Sequence, residues 1–241
     1  MPSMSEPSWD RLRPEYDAAV LDPVQRAARA RRVRAALGAA RLWPSAPRIL
    51  DVACGSGLLL AALDDRAGAR VGCDVRRELY LRVRDQIPGV RFAQADAARL
   101  PFRAGSFDLV TCMAAIEEFP DWRTALADMA RCVAPGGVLY VTVTNGAVLR
   151  PLYALARSLG RDVPDNWRAY AQASLRLRDG RAETGFGVPA LSGWRHVDVT
   201  AHLLAASSPW LGRLPLGAVA RVLRPIVPSF GFAWQRPAGI G

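Results

Sequence analysis

The chain has 241 residues, of which 51% are hydrophobic and 22% charged, a composition typical of a globular protein with one large domain or two small ones. No stretch reaches the roughly 18 uncharged apolar residues that a spanning helix needs, and the first residues do not resemble a secretory signal, so we expect a cytoplasmic protein. The net charge is +10, and all of the basic residues are arginine, since there is no lysine. This compositional bias makes the charge a weak indication of a nucleic-acid or membrane partner.

A basic helix is predicted over residues 9 to 43, with Pro23 at a position that favours helix initiation and Pro44 at the end. Its arginines are not segregated to one side, and bulky apolar residues are few. Two interpretations stay open: a solvated helix face, or contact with a membrane surface or an acidic partner.

From residue 47 short apolar runs alternate with segments of helical periodicity, the pattern of a parallel sheet with crossover helices. Helical spacing recurs over residues 58 to 65, 79 to 87 and 122 to 133. We predict a doubly wound α/β fold with strands at 48–53, 69–74, 90–95, 107–113 and 137–144.

The regular pattern weakens after Asn145. We predict a helix over 147–159, an amphipathic stretch over 214–227, and two further strands at 194–202 and 230–235. Residues 160 to 190 are polar and irregular, and a connection of this length is typical of a binding lid or a disordered segment.

The turns after the first four strands are the candidate sites, because ligands bind beyond the carboxyl ends of the strands in such sheets. The first turn contains Gly55 and Gly57, which permit positive φ and let a ligand approach the backbone where a helix starts. Such a turn also suits NAD or FAD. The third glycine of the dinucleotide motif is absent, however, and Asp51 would repel a pyrophosphate but attract ammonium and sulfonium charges.

Two further acidic turns follow the second and third strands. Asp74 ends the second strand, where its carboxylate can accept hydrogen bonds from both hydroxyls of a ribose. After the third strand, the Asp96 side chain can accept from an exocyclic adenine amine while the Ala97 amide donates to a ring nitrogen. Each acid alone can equally be a helix cap or a solvated turn, but three in register favour a nucleoside site.

These turns resemble the class I S-adenosylmethionine-dependent methyltransferases, in the methyltransferase type 11 group. The resemblance runs from about residue 48 to residue 144, and the motifs that carry it are the glycine-rich loop, Asp74, Gln94-Ala95-Asp96-Ala97, Leu100-Pro101-Phe102, Ser106-Phe107-Asp108-Leu109-Val110 and Ala134-Pro135-Gly136-Gly137. It implies a Rossmann-like sheet of seven strands, mostly parallel with the last antiparallel. It also implies S-adenosylmethionine as the cofactor, with S-adenosylhomocysteine as the product.

The resemblance places Asp51 and the glycine-rich loop on the methionine part of the cofactor, Asp74 on the ribose, and Asp96 with Ala97 on the adenine. The residues that we predict to bind the cofactor are therefore Asp51, Ala53, Cys54, Gly55, Gly57, Asp74, Val75, Asp96, Ala97 and Met113. The organisation expected is a single domain over 1–241, with an N-terminal helical cap (1–45), a cofactor-binding core (46–145), and a substrate-side lid with the last two strands (146–241).

The fourth turn departs from the pattern of this family, because Glu117 takes a position that is commonly histidine. Glu117 would lie toward the transferred methyl group, where it can act as a general base or pair with a cationic substrate. An exposed pair of acids before a helix, Glu117 with Glu118, explains the residues equally well. Met113, just before this turn, is predicted to line the cofactor.

No metal site is expected, since the four cysteines form no Cys-x-x-Cys pair and have no nearby histidine. Cys54, Cys73 and Cys112 lie near the ends of predicted strands, where inert packing is favoured. His196 and His202 alternate away from the apolar face of an edge strand, which favours a solvated or structural role over catalysis.

Methyl transfer from a sulfonium is an in-line displacement, so no catalytic side chain is obligatory. The motifs typical of nucleic-acid methyltransferases are absent, which favours a small-molecule or lipid-like acceptor and leaves peripheral membrane contact open. The alternatives are a nucleic-acid methyltransferase, an NAD(P)-dependent oxidoreductase and a non-catalytic cofactor-binding protein. The acceptor would be enclosed by the flanking segments, whose available aromatic residues are Tyr16, Trp167, Tyr170, Phe186 and Trp194.

Overall fold

The computed structural model describes residues 22–63, 68–81, 83–144, 151, 154–160, 191–199 and 229–238. Several predicted features lie outside these residues: the part of the basic helix before residue 22, nearly all of the proposed lid, the amphipathic stretch at 214–227, and His202. Four of the five aromatic residues that the flanking segments offer to an acceptor also lie outside, namely Tyr16, Trp167, Tyr170 and Phe186. The fifth, Trp194, is partly buried against the core, with the Arg236 guanidinium carbon 6.0 Å from the centre of its ring.

The strands of the described structure are β1 (Arg48–Val52), β2 (Ala69–Asp74), β3 (Val90–Gln94), β4 (Phe107–Met113), β5 (Val133–Thr144), β6 (Arg195–Asp198) and β7 (Ser229–Gln235). They form one seven-stranded sheet in the order β3-β2-β1-β4-β5-β7-β6. Strands β1 to β5 pair in parallel, and β7 runs antiparallel to both of its neighbours. The predicted fold, a mostly parallel Rossmann-like sheet with an antiparallel last strand, is confirmed.

The sequence predicts β1 to β4 and β7 to within one residue at each end, but the start of β5 is wrong. The helical spacing over 122 to 133 predicts Val133 as the last residue of a helix, and strand β5 only from residue 137. The helix instead ends at Cys132, and Val133 already pairs with Phe107 of β4. The register between these strands then shifts between Phe107 and Leu109. Pairing with a distant strand decides this boundary, and the local periodicity of residues 122 to 133 does not contain that information.

The helices are α1 (Pro23–Ala39), α2 (Leu58–Ala62), α3 (Glu78–Leu81) and α4 (Trp122–Cys132). Helix α1 begins at Pro23, the residue that the sequence marks for helix initiation, and ends at Ala39, before the predicted end at residue 43. The Asp22 carboxylate caps it by accepting from the Val24 amide at 2.8 Å. Asp121 caps α4 in the same way, through the Thr124 amide at 3.1 Å. Residues 154 to 158 are also helical, within the predicted 147–159.

Apolar side chains cover both faces of the sheet, which is why its central strands are continuous apolar runs. Leu50 faces the cluster that contains Leu126 of α4, whereas Ile49 faces the cluster that contains Leu37 of α1 and Leu60 of α2. Helices therefore lie on both sides of the sheet and leave its carboxyl edge as the place for the connecting turns. Within the described part of the chain, no helix combines the length and the apolar character needed to cross a membrane.

Candidate cofactor-binding site

The carboxyl edge of the sheet brings the predicted site residues together. Asp51 lies in β1, Asp74 ends β2, Asp96 follows β3 and Met113 ends β4. Because these strands are adjacent in the order β3-β2-β1-β4, the four residues line one continuous edge. The chain leaves β1 toward β2 on one side and returns to β4 on the other, and this switch point is where an open α/β sheet forms its ligand crevice.

The glycine-rich loop connects β1 to α2 with three residues in the left-handed region: Ala53 (φ 56), Gly55 (φ 54) and Gly57 (φ 79). A Cβ added to Gly57 would lie 2.8 Å from Phe92 Cζ, so Gly57 is required by packing as well as by backbone conformation. A Cβ added to Gly55 would meet nothing within 4 Å. The backbone at Gly55 thus faces open space, where a ligand can approach it.

Asp74 ties the loop to the end of β2. Its Oδ2 accepts from the Gly55 amide and its Oδ1 from the Arg76 amide, both at 3.0 Å. The residue is 7% exposed, and burial raises the pKa of its carboxyl, although the two amide hydrogen bonds act in the opposite direction. A carboxylate with little water around it is thus oriented at the loop, with the hydrogen-bonding capacity of a ribose acceptor.

Asp51 is buried between β1 and β4, where the register of the two strands sets it opposite Thr111. The Thr111 hydroxyl donates to Asp51 Oδ1 at 2.6 Å. The residue is 4% exposed, so its negative charge acts from within the sheet at the base of the loop. Sequence reasoning missed Thr111, although a hydroxyl in an otherwise apolar central strand is a signal that could have identified it.

The turn after β3 presents one exposed and one buried residue. Asp96 is exposed, and its Oδ1 accepts from the Ala98 amide at 2.9 Å, whereas Ala97 is buried. In the preceding turn Val75 is 60% exposed, and its carbonyl accepts from Gln94 Nε2 at 2.9 Å. The turns that follow β2 and β3 are therefore joined to one another at the edge of the sheet.

The turn after β4 begins with Met113 and Ala114, and Ala114 has a left-handed backbone (φ 52). Its amide donates to the Thr142 hydroxyl at 2.9 Å and to the Thr142 carbonyl at 3.1 Å. This anchoring to β5 fixes a conformation that a residue with a side chain rarely adopts. Nothing in the sequence marks Ala114 for that conformation.

Glu117 lies in the 3-10 turn Ile116–Glu118 that follows, and it is 1% exposed. The hypothesis of an exposed pair of acids is therefore wrong for Glu117, because the turn folds this residue into the core while Glu118 is half-buried. Burial first, and then the charge of Glu117, raises the pKa of the neighbouring Cys112 thiol. Glu117 thus contributes a buried carboxylate at the end of β4.

The four cysteines are buried free thiols, and for Cys54, Cys73 and Cys112 this burial agrees with the inert packing expected of them. Burial raises the pKa of Cys54 in the glycine-rich loop, and the charges of Asp51 and Asp74 add to the shift. His196 is exposed on the edge strand β6, with its ring centroid 5.3 Å from that of Trp234. Both features agree with the structural roles expected of these residues.

Comparison with known proteins identifies a matching family model and several sequence relatives. A family model for a methyltransferase domain matches residues 50–141. A demethylmenaquinone methyltransferase of Beutenbergia cavernae is 32% identical over 182 residues, which span 67% of this chain and 75% of the relative. A ubiquinone biosynthesis O-methyltransferase of Xanthomonas axonopodis is 34% identical over 143 residues, 57% of this chain and 56% of that protein.

Solved structures of other proteins share this fold. An S-adenosylmethionine-dependent methyltransferase of Thermotoga maritima superposes with a TM-score of 0.52 at 15% identity, covering 95% of this chain and 98% of that one. The methyltransferase in complex with the Trm112 activator of Haloferax volcanii gives a TM-score of 0.51 at 20% identity, covering 95% and 99%. At these identities the likeness concerns the fold, whereas the family follows from the sequence relatives. The chain belongs to the class I S-adenosylmethionine-dependent methyltransferases, enzymes whose cofactor is S-adenosylmethionine.

Proposed function

We propose that this enzyme methylates a small, lipid-like acceptor of the quinone class. The two sequence relatives are named as a demethylmenaquinone methyltransferase and a ubiquinone biosynthesis O-methyltransferase. A third, a ubiquinone/menaquinone biosynthesis C-methyltransferase of Methylococcus capsulatus, is 33% identical over 49% of this chain and 57% of its own length. Their names differ in the acceptor atom but share the class of acceptor. The acceptor atom in this chain is therefore a matter for experiment, and the quinone class is the proposal.

The observation that carries the proposed cofactor site is the buried carboxylate of Asp74, fixed by the Gly55 amide at the switch point of the sheet. We assign the ribose to Asp74 and Val75, the adenine to Asp96 and Ala97, and the transferred methyl group to the end of the cofactor that Met113 lines. The methionine part is assigned to the loop and its strand, with residues Asp51, Ala53, Cys54, Gly55 and Gly57.

The residues present fit this cofactor in charge and in space. Asp51 and Asp74 are negative and buried, so they favour the ammonium and sulfonium charges and disfavour a pyrophosphate. The open approach to Gly55 leaves room for a ligand against the loop backbone. When bound, S-adenosylmethionine supplies an activated methyl group, and the chain orients it toward the acceptor and excludes water.

Glu117 is the proposed proton acceptor. Bound S-adenosylmethionine would supply the methyl group to an acceptor hydroxyl, and the Glu117 carboxylate would accept the proton that this hydroxyl gives up. For a carbon acceptor the same carboxylate removes the ring proton after the new bond forms. The burial of Glu117 keeps water from competing for these positions.

The test is to incubate the purified enzyme with S-adenosylmethionine and either reduced demethylmenaquinone or a catechol with a prenyl tail. We expect S-adenosylhomocysteine to accumulate and one acceptor to gain a methyl group by mass spectrometry. If S-adenosylhomocysteine binds but neither acceptor is methylated, the quinone class is wrong.

The variant Glu117→Gln tests the proton acceptor. The rate of methyl transfer should fall by about a hundredfold or more, a typical loss for a general base, whereas affinity for S-adenosylhomocysteine should be unchanged because the glutamine keeps the shape of the side chain. Transfer at the rate of the unchanged enzyme would exclude Glu117 as the base.

A further inference from the structure

The segment between β3 and β4, residues 95 to 106, contains no helix or strand and yet carries the proposed adenine contacts. Its first residue is attached to β2, since the Ala95 amide donates to the Asp74 carbonyl at 3.0 Å. Asp96 and Ala97 follow directly. What binds the second half of the segment therefore bears on the position of these two residues as well.

Two residues on the last turns of α4, Asp128 and Arg131, bind that second half. The Leu100 amide donates to Asp128 Oδ2 at 2.6 Å, and Arg131 Nη2 donates to the Leu100 carbonyl at 3.0 Å. Arg131 Nη1 donates to the Phe102 carbonyl at 2.6 Å. The Arg131 carbonyl accepts from the Gly105 amide at 2.9 Å. Three residues of an otherwise irregular segment are thus attached to one turn of helix.

Asp128 and Arg131 also pair with each other, with Arg131 Nε 2.6 Å from Asp128 Oδ1 and Nη2 3.1 Å from Oδ2. This hydrogen bond lowers the pKa of the Asp128 carboxyl and raises that of the Arg131 guanidinium, so both groups stay charged at neutral pH. A planar guanidinium that binds a carboxylate and two carbonyls has almost no rotational freedom. The pair is rigid enough to set the position of the backbone that it holds.

We infer that the Asp128–Arg131 pair positions the segment of Asp96 and Ala97 for recognition of adenine, so that selectivity for the base depends on two residues that do not touch it. Asp128 and Arg131 are positioning residues in this assignment. The inference rests on the proposed cofactor site, and in particular on the adenine contacts of Asp96 and Ala97.

The chain offers a matched control in a second arginine–aspartate pair. Arg48 Nε and Nη2 bind the two oxygens of Asp108 at 2.9 and 2.8 Å, and the Arg48 amide also donates to Asp108 Oδ2 at 2.9 Å. This pair joins the starts of β1 and β4, at the edge of the sheet opposite the proposed site. Loss of the Arg48–Asp108 pair should affect stability alone.

The experiment compares the affinities of S-adenosylhomocysteine and S-inosylhomocysteine, in which a carbonyl replaces the adenine amine. The unchanged enzyme should prefer the adenine compound, because the base of the inosine compound has an oxygen where Asp96 needs a donor and an N1–H where the Ala97 amide needs an acceptor. In Arg131→Ala this preference should fall about tenfold, the loss expected when one hydrogen bond between ligand and protein is no longer aligned. Arg48→Ala should lower the melting temperature and leave the preference unchanged.

Arg131→Lys keeps the test valid if Arg131→Ala does not fold. Lysine keeps the positive charge but cannot bind the carboxylate and both carbonyls together, so we expect a preference between those of the unchanged enzyme and Arg131→Ala. If the preference in Arg131→Lys equals that of the unchanged enzyme, the inference is overturned, whatever happens to the melting temperature. If the unchanged enzyme binds no S-adenosylhomocysteine, or binds both compounds equally, the proposed adenine contacts are wrong and the inference fails with them.

Discussion

Replacement of Asp74 by asparagine should weaken cofactor binding without destabilising the fold. Burial raises the pKa of the Asp74 carboxyl, so this residue stabilises the fold fully only below its unfolded-state pKa and loses that contribution as the pH rises through the folded-state value. At neutral pH the buried charge therefore opposes folding. Asparagine removes the charge, and its oxygen can still accept from one of the two amides of Gly55 and Arg76. The hydrogen bond lost at the other amide offsets the gain from removing the charge, so the net change in stability should be small.

The loss of affinity follows from the hydrogen bonds proposed for the ribose. A hydrogen bond to a charged group contributes about 1.5–3 kcal/mol, and two ribose hydroxyls donate to the Asp74 carboxylate in the proposed site. Asparagine keeps one uncharged acceptor, so we expect a net loss of about 2–3 kcal/mol, which is roughly a 30- to 150-fold increase in the dissociation constant. Asp74→Asn should thus weaken cofactor binding without a matching loss in the stability of the fold.

Calorimetric titration with S-adenosylhomocysteine measures the affinity, and thermal unfolding without ligand measures the stability. We expect a dissociation constant raised by the stated factor and a melting temperature close to that of the unchanged enzyme. Unchanged affinity would refute the ribose role of Asp74. A large fall in the melting temperature would refute the argument that its buried charge opposes folding.

Two further predictions concern stability. Gly57→Ala and Gly55→Ala should each lower the free energy of unfolding by about 1–2 kcal/mol, because alanine disfavours a left-handed backbone. Gly57→Ala alone should lose a further ~1–3 kcal/mol, since its Cβ would lie 2.8 Å from Phe92 Cζ. Equal losses of the two variants in chemical denaturation would contradict the packing argument. Asp108→Asn should lower the free energy of unfolding by about 1 kcal/mol at neutral pH, a small value because the pair with Arg48 is partly exposed. The hydrogen bond from Arg48 lowers the pKa of the Asp108 carboxyl. The difference in stability between Asp108→Asn and the unchanged enzyme should therefore disappear as the pH falls below the ordinary value of 3.8 and through the folded-state pKa. A difference that persists in acid would count against the ion pair.

Much of the fold was predictable because its signals are local. A short and mostly apolar run such as 107–113 is typical of a strand in the middle of a sheet. Asp22 with Pro23 marks a helix start through two adjacent residues. The acidic turns followed from the same logic, since parallel strands end at one edge. The strand pattern alone therefore places Asp51, Asp74 and Asp96 close together.

The remaining features depend on residues that are distant in the chain. The boundary at Val133 results from pairing with β4, and the contacts of Thr111 with Asp51 and of Asp128 with Leu100 span 60 and 28 residues. Sequence periodicity describes one element at a time. It does not say which side chain of one element meets which backbone group of another.

The sequence by itself determined the class of fold, the family, and the set of acids at the strand ends, because strand pattern and turn chemistry are encoded in neighbouring residues. Only the tertiary structure decided that Glu117 is buried, that Gly55 faces open space while Gly57 is packed, and that Asp128 and Arg131 hold the segment between β3 and β4. These properties arise when α4, the sheet and the connecting turns come together. Burial and hydrogen-bond partners are properties of that assembly and not of any one segment.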